Sequence, residues 1–212
     1  MTKVAIIDYG MGNLRSVAKA VEHVAGGESV AVTCDPDVVR RADRVVFPGQ
    51  GAMPDCMREL ERRGLRAAVL EAAETKPFLG ICIGQQMLFA HSEEGDVPGL
   101  GILPGEVVRF DEARMVGADG VRLKVPHMGW NEVWQSAPHV LWEGIPDGER
   151  FYFVHSYYVA PADRALVAAE TDYGLRFTSA VARANIFAVQ FHPEKSAASG
   201  LQLLSNFIRW AP

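Results

Sequence analysis

The stretch Phe78-Leu79-Gly80-Ile81-Cys82-Ile83-Gly84-Gln85-Gln86 decides the fold that we predict for this chain. Its first four residues are mostly apolar and predict a short buried strand, and residues 85–90 predict a helix directly after it. A cysteine therefore stands at a tight junction between strand and helix, with a glycine on each side. Such a junction is typical of a parallel sheet wrapped by helices.

The flanking sequence repeats this alternation of strand and helix. Strands are predicted at residues 4–7, 30–33, 44–47, 106–110, 132–134, 151–157, 166–170 and 186–191, with Pro48 ending the third. Helices are predicted at residues 13–25, 54–63 and 65–75, from Pro36 after a cap at Asp35, and after the turn at residues 192–194. We therefore expect an α/β fold over one domain, residues 1–212. Its central sheet is mostly parallel with helices on both faces, and its second half adds antiparallel strands.

Composition excludes several classes of function. The chain has 212 residues and a formal net charge of -5, so no basic surface for nucleic acid or an anionic membrane is expected. The three cysteines, Cys34, Cys56 and Cys82, are odd in number and irregularly spaced, which favours a reducing, cytoplasmic setting over a disulfide framework. The first eight residues lack the apolar core of a signal peptide, and no run of eighteen apolar residues predicts a transmembrane helix.

Cys82 is the candidate nucleophile. The pattern Gly-x-Cys-x-Gly between an apolar strand and a helix is the cysteine form of a nucleophile elbow, in which glycines permit a tight and strained turn. A helix N-terminus favours the thiolate, and the amide of Ile83 is placed to hold an oxyanion. The alternative is a plain turn with a buried structural cysteine, the interpretation that we prefer for Cys34 and Cys56.

His192 is the candidate base, and Glu194 is the candidate residue that orients it. His192 follows an apolar strand, and Pro193 then makes a turn that places a carboxylate two residues on. Side chains at the carboxyl ends of neighbouring parallel strands meet at one edge of the sheet, so His192 could reach Cys82 there. An imidazole and a carboxylate are what a cysteine nucleophile needs. The alternative is a polar turn that leads into the last helix.

Three motifs together resemble the triad, or class I, glutamine amidotransferases. They are Phe47-Pro48-Gly49-Gln50-Gly51, the elbow with Gln86 after it, and His192-Pro193-Glu194. Residues 8–14 (DYGMGNL), 124–131 (KVPHMGWN) and 191–196 (FHPEKS) are similar to glutaminase subunits of imidazole glycerol phosphate synthase, which serve histidine biosynthesis. The resemblance covers nearly the whole chain and implies a flavodoxin-like fold.

The resemblance also implies roles for individual residues. Cys82, His192 and Glu194 correspond to the triad that hydrolyses L-glutamine through a γ-glutamyl thioester. The residues of the oxyanion strand are Gly49, Gln50 and Gly51, and those that contact glutamine are Gln86, Ser156 and Tyr157. Ammonia would pass to a (β/α)₈-barrel cyclase subunit in a heterodimer, which makes imidazole glycerol phosphate and AICAR. We expect weak activity until the partner is present with its substrate.

Aromatic residues indicate where a partner could bind. Trp130 and Tyr152 are candidate anchors of the interface, since aromatics are favoured there, although core packing is the competing explanation. We expect Phe153 to belong to the core. Asn13 is expected to face the partner because the family places this end of the chain there, although it could simply cap its helix.

No cofactor and no metal are expected. The turn Gly10-Met11-Gly12 lacks the lysine and the serine or threonine of a phosphate-binding loop, and metal-ligand spacing is absent from the sequence. Three other functions remain open at this point: the glutaminase component of another synthase, such as anthranilate or para-aminobenzoate synthase; a catalytically silent binding subunit; and a cysteine hydrolase that needs no partner.

Overall fold

Five strands form the parallel part of the sheet in the computed structural model, which describes residues 3–117 and 120–212. They are β1 Val4–Ile7, β2 Val30–Thr33, β3 Arg44–Gly49, β4 Phe78–Cys82 and β13 Ile186–Val189. Their order is β2-β1-β3-β4-β13, and each neighbouring pair is parallel. This order is that of the flavodoxin-like folds, in which ligands bind beyond the carboxyl ends of the strands.

The α-helices of the described residues lie between and after these strands. They are α1 Leu14–Val24, α2 Pro36–Arg41, α3 Met53–Arg62, α4 Arg66–Thr75, α5 Ile83–Gln86 and α6 Ala197–Arg209. Asp35 begins α2 by accepting a hydrogen bond from the amide of Asp37, with proline at the first helical position. Helix α1 packs against α6, and α2 packs against α4. Right-handed crossovers place these two groups on opposite faces of the sheet.

The second half of the chain extends the sheet with largely antiparallel strands. They are β5 Phe89–Ser92, β6 Val97–Pro98, β7 Leu103–Arg109, β8 His127–Gln135, β9 Glu149–His155, β10 Tyr157–Pro161, β11 Val167–Asp172 and β12 Arg176–Arg183. Beyond β13 the order continues β12-β10-β7-β5-β6, while β11 joins β12 to β8 and β8 pairs with β9. The predicted α/β fold with an antiparallel second half is confirmed.

The predicted helix at residues 85–90 is wrong. Helix α5 ends at Gln86, and the chain re-enters the sheet at Phe89, where β5 pairs with β7 and β6. A short apolar run such as Met87 to Ala90 has no periodicity that separates a helix from a buried strand. Pairing of residues 89–92 with β7 makes this segment a strand instead of a helix.

Several strand boundaries also differ from the prediction, among them those of β3 and β9, and β12 was not predicted. Pro48 does not end β3, because the strand pairs with β4 as far as Gly49, while its pairing with β1 has already stopped at Val46. The proline, which has no amide proton, therefore lies where one side of β3 is free. The strand predicted at residues 151–157 is two strands, β9 and β10, which separate at Ser156.

The core lies on both sides of β1, β4 and β13, where every strand residue is buried. Burial on both faces is what a parallel sheet covered by helices requires. Among the described residues, no helix has both the length and the apolar character needed to cross a membrane.

Candidate active site

Cys82 occupies a strained turn at the end of β4. Its φ of 56° lies in the left-handed region that residues with a side chain seldom adopt, and helix α5 starts at the next residue. A Cβ on Gly84 would collide with the carbonyl oxygen of Phe47, and one on Gly80 would lie 2.9 Å from the Cβ of Ala188. Both flanking glycines are therefore required by close packing, as the elbow pattern predicts.

His192 lies beside Cys82 because β13 is the parallel neighbour of β4. Its Nδ1 is 2.9 Å from Oε1 of Glu194, and the two side chains are 6% and 2% exposed. The backbone of His192 is braced by β9, since its amide donates to the carbonyl of Tyr152 at 2.9 Å. The Ser196 hydroxyl donates to the carbonyl of His192 at 2.6 Å and accepts from the amide of Tyr152. This turn therefore holds the imidazole in one orientation.

The other ring nitrogen of His192, Nε2, is buried and has no hydrogen-bond partner at full bonding distance in the described part of the chain, although the sulphur of Cys82 is close enough to act on the ring. It is therefore free to exchange a proton with Cys82 and a substrate. Burial by itself lowers the pKa of His192, but the sulphur of Cys82 and the carboxylate of Glu194 outweigh it and raise the pKa to about 10. The arrangement thus favours an imidazolium next to the sulphur, the state that a cysteine nucleophile requires.

A cavity of about 250 Å³ opens onto Cys82 and His192. Its other lining residues are Gln50, Gly51, Ile83, Gln86, Glu94, Pro126, Val154, His155, Ser156 and Tyr157. All three residues of the predicted glutamine contact are in this lining, and so are three of the four predicted oxyanion residues. The strand break at Ser156 explains how the second half of the chain reaches the site.

The predicted oxyanion strand lies alongside Cys82. Gly49 is paired with Cys82 across β3 and β4 but lies outside the lining of the cavity. Gln50 is held by its own side chain, whose Oε1 accepts from the amide of Asn13 at 3.0 Å, and by its carbonyl, which accepts from Sγ of Cys56 at 3.6 Å. Gly51 has a φ of +113°, a conformation for which glycine is suited.

Two residues of the site were missed by the sequence analysis. Gln190 is fully buried, and its Nε2 donates to Sγ of Cys82 at 3.7 Å while its Oε1 accepts from Nε2 of Gln86 at 3.0 Å. A polar residue inside the apolar run 186–191 was the available signal. Glu94 lines the cavity, and its Oε2 accepts from the amide of Met53 at 2.8 Å. No local pattern marks Glu94, because only the folded chain brings it to Cys82.

The predicted partner residues lie near the site. Asn13 is exposed and contacts Gln50 through its backbone amide. Trp130 is 47% exposed and meets the half-buried Tyr152 edge-on, with ring centroids 6.3 Å apart. Phe153 is fully buried, so its assignment to the core is confirmed. Within residues 3–117 and 120–212, no three His, Cys, Asp or Glu side chains are grouped to hold a metal ion.

The family model described as glutamine amidotransferase class-I matches residues 5–210. Two curated relatives are each described as imidazole glycerol phosphate synthase subunit HisH. The one from Aromatoleum aromaticum is 80% identical over 212 residues, which are 100% of both chains. The one from Dechloromonas aromatica is 69% identical over 209 residues, 99% of this chain and 97% of the relative.

Solved structures share the fold at low sequence identity. A glutamine amidotransferase has a TM-score of 0.71 at 17% identity, with 97% of both chains covered. The glutaminase domain of Trypanosoma brucei CTPS with bound acivicin has a TM-score of 0.64 at 16% identity, with 100% of this chain and 96% of that chain covered. At such identities the likeness concerns the fold alone.

Proposed function

Because the chain belongs to the class-I glutamine amidotransferase family, we propose that it hydrolyses L-glutamine as the glutaminase subunit of an imidazole glycerol phosphate synthase. The relatives with this description match it from end to end at 80% and 69% identity. The glutaminase component of another synthase is therefore not favoured. We also propose that residues 1–212 act as one amidotransferase domain.

One observation supports the chemistry more than any other. Cys82, in its strained turn, and His192 line the same cavity, and Glu194 is buried behind His192 at 2.9 Å from its Nδ1, which leaves Nε2 as the ring nitrogen available to the reaction. A strained nucleophile, a charged imidazole and an orienting carboxylate are the three parts of cysteine-based acyl transfer. We assign these three residues as the catalytic triad, which makes a catalytically silent subunit the weaker alternative.

In the first half of the reaction, the thiolate of Cys82 attacks the side-chain amide carbon of glutamine. A carbon-sulphur bond forms and the carbonyl electrons move to oxygen. His192, as the imidazolium, gives its proton to the amide nitrogen, and the carbon-nitrogen bond breaks to release ammonia. The products of this half are a γ-glutamyl thioester on Cys82 and a neutral imidazole.

In the second half, water hydrolyses the thioester. The neutral imidazole of His192 takes a proton from water, and the resulting hydroxide attacks the thioester carbon. Collapse of the tetrahedral intermediate breaks the carbon-sulphur bond and releases glutamate, and the thiolate and imidazolium are restored. Glu194 stabilises the imidazolium and keeps Nε2 directed toward the reacting atoms.

The lining of the cavity suits glutamine. Gln86, Ser156 and Tyr157 offer amide and hydroxyl groups, and we assign them as substrate contacts. Glu94 is a carboxylate in the same lining and suits the α-ammonium group of an amino acid. A cavity of about 250 Å³ limits the substrate to a small molecule of this kind.

We assign the oxyanion hole to the backbone amides of Ile83 and of the strand Gly49, Gln50 and Gly51. Loss of one such donor typically costs about 10² to 10³ in rate, so a peptide that turns its amide in or out would switch the enzyme. Glycines on both sides of Gln50 permit this rotation. We therefore expect weak glutaminase activity from the chain alone.

The partner in this proposal is a (β/α)₈-barrel cyclase subunit that receives the ammonia and forms imidazole glycerol phosphate and AICAR in histidine biosynthesis. Asn13, Trp130 and Tyr152 are the proposed contacts. Asn13 and Tyr152 are tied by backbone hydrogen bonds to the oxyanion strand and to the catalytic turn. A partner bound at these residues would thus contact segments that position both the oxyanion strand and the turn at His192. We place the complex in the cytoplasm, where histidine precursors are made.

The experiment measures glutamate release by the purified chain, alone and with the cyclase subunit and its nucleotide ligand, with Cys82→Ala as the blank. Strong release only in the complete mixture supports the proposal. Equal release with and without the cyclase indicates a hydrolase that needs no partner. No release in either case indicates a silent binding subunit.

A further inference from the structure

Two buried histidines that the mechanism does not use face each other at the end of a strand pair. His127 begins β8, His155 ends β9, and the two residues are direct partners in the ladder. Their side chains meet, with Nδ1 of His127 at 3.0 Å from Nε2 of His155, and the residues are only 2% and 6% exposed. His155 also lines the catalytic cavity.

The partners of the two rings determine where each proton lies. Nδ1 of His155 is 2.8 Å from the carbonyl oxygen of Tyr157, which can only accept, so this nitrogen bears the proton. Burial lowers the pKa of both histidines, and both rings are neutral at pH 7. Nε2 of His155 therefore accepts, and Nδ1 of His127 donates to it. Nε2 of His127 is left as an acceptor for Nδ2 of Asn131 at 3.2 Å.

This series of hydrogen bonds, which runs from Asn131 through His127 and His155 to Tyr157, ends at the substrate cleft. The carbonyl oxygen of Tyr157 accepts from His155 and also from Nε2 of Gln86 at 3.0 Å. The strand is interrupted just before this carbonyl, at Ser156. On one side of the break β9 pairs with β8, and on the other side β10 pairs with β7 and β12. The hydrogen bond from His155 thus joins two pieces of sheet at the point where Ser156 and Tyr157 enter the cavity.

The other end of this series of hydrogen bonds lies on β8, and the two faces of that strand differ in exposure. Asn131 is half-buried, and its Nδ2 also donates to the carbonyl of Asp172 at 2.9 Å. On the opposite face of the same strand, Met128 and Trp130 are 63% and 47% exposed. Alternation along the strand therefore places His127 and Asn131 on the inner face of β8 and an exposed apolar surface on its outer face.

We propose that His127 and His155 are positioning residues, and that the chain from Asn131 through both rings to Tyr157 fixes the glutamine-binding backbone and Gln86 relative to β8. The inference rests on the proposed function, since it treats Gln86, Ser156 and Tyr157 as substrate contacts. Neither imidazole exchanges a proton in the reaction. Their effect is on how well glutamine is held, not on the chemistry at Cys82.

The test compares two variants of His127 in the complete enzyme with the cyclase. His127→Phe keeps a flat ring against Phe153 and Tyr173 but loses both hydrogen bonds. His127→Asn keeps a donor at the position of Nδ1. We expect His127→Phe to raise KM for glutamine on the order of 10-fold with kcat changed by less than about 3-fold, because an acceptor on His155 is left unpaired. We expect His127→Asn to restore KM to within about 3-fold of the unsubstituted enzyme.

A second measurement needs no variant and no activity. Nitrogen-15 NMR of the histidine side chains in the isolated chain reads the position of each proton, and we expect both His127 and His155 to bear it on Nδ1. A proton on Nε2 of His155, or equal KM values in the unsubstituted enzyme and His127→Phe, would overturn the inference. Absence of Cys82-dependent glutamate release would refute the proposed function instead. The proton positions on His127 and His155 would still show whether the hydrogen bonds run from Asn131 to Tyr157 as inferred.

Discussion

Gly49 and Cys82 are direct partners across the parallel strands β3 and β4, so the proposed oxyanion strand and the proposed nucleophile share one register. A Cβ on Gly49 would lie 2.6 Å from Oη of Tyr9, 2.7 Å from Cβ of Ile83 and 2.8 Å from the amide nitrogen of Gly84. The close approach of the two strand ends therefore depends on this glycine, and any side chain there must displace the elbow.

Gly49→Ala tests that dependence. We expect the extra methyl group to cost about 1–3 kcal/mol in the free energy of unfolding through overpacking. Glutaminase kcat should fall by about 10², since a displacement of the order of 1 Å at reacting groups has this effect. Gly26→Ala is the control: Gly26 has a φ of +62° and open space around it, so this variant loses stability without touching the site. Equal activity losses in both variants would contradict the prediction.

Glu194→Gln tests the orienting carboxylate. We expect the pKa of His192 to fall from about 10, because the attraction between the carboxylate and the imidazolium is removed. We also expect kcat to fall by about 10² to 10⁴, as with other triads that lose their carboxylate. NMR titration of His192 and a glutaminase assay measure the two effects. Glu74→Gln, at an exposed position on α4, is the matched control, and an unchanged His192 titration in Glu194→Gln would contradict the assignment.

Gln190→Leu tests the buried amide that donates to Sγ of Cys82 at 3.7 Å. Leucine has a similar size but no donor, so the negative charge on sulphur loses one stabilising contact. We expect alkylation of Cys82 by iodoacetamide and glutaminase kcat to slow by about 10-fold. Cys34 is exposed, so the expectation that it is buried is wrong, and it therefore offers an internal reference for reagent reactivity. If Cys82 reacts at an unchanged rate relative to Cys34, Gln190 has no role in activating the thiolate.

Trp130→Ala tests the proposed partner surface. Interface hot spots, among which tryptophan is enriched, contribute about 2 kcal/mol or more, so we expect affinity for the cyclase to weaken by about 30-fold. Titration calorimetry measures this loss, and activity of the chain alone should not change. Val32→Ala is the comparison, since Val32 is 44% exposed on β2, an edge strand of the parallel part of the sheet. Equal binding by both variants would exclude Trp130 from the interface.

The neutral pair His127 and His155 predicts how stability depends on pH. Burial lowers the two pKa values from 6.5 to about 4 and about 3, so below pH 6.5 the unfolded chain binds protons that the folded chain does not. The stability from these groups is present above pH 6.5 and is lost as pH falls. Each neutral histidine contributes a slope of up to about 1.4 kcal/mol per pH unit.

His127→Phe should remove one of these two slopes. We expect the free energy of unfolding of the variant to fall less steeply between about pH 6 and about pH 4.5, by roughly 1.4 kcal/mol per pH unit. Urea unfolding at several pH values measures the difference. Parallel curves for the variant and the unsubstituted chain would mean that His127 takes up its proton at the same pH in the folded and the unfolded chain.

The elbow at Cys82 and the parallel half of the fold could be predicted from the sequence because their signals are local. Two glycines around a cysteine, between an apolar strand and a helix start, specify a tight turn whatever the rest of the chain does. Alternating apolar runs likewise predict β1 to β4, and their boundaries differ from the structure by at most two residues. Tertiary pairing overrode the local pattern at α5 and at the break between β9 and β10.

The remainder of the site was decided by tertiary structure alone. Glu94 and His155 enter the lining of the cavity at Cys82 from separate places in the chain, and no spacing in the sequence relates them. Their positions follow from strand order and register, which depend on the packing of both sheet faces at once. The sequence by itself therefore determined the nucleophile's turn and the family's motifs. Long-range pairing alone brought Glu94 and His155 into the lining of the cavity and joined His127 to His155, because those contacts form only when distant strands meet.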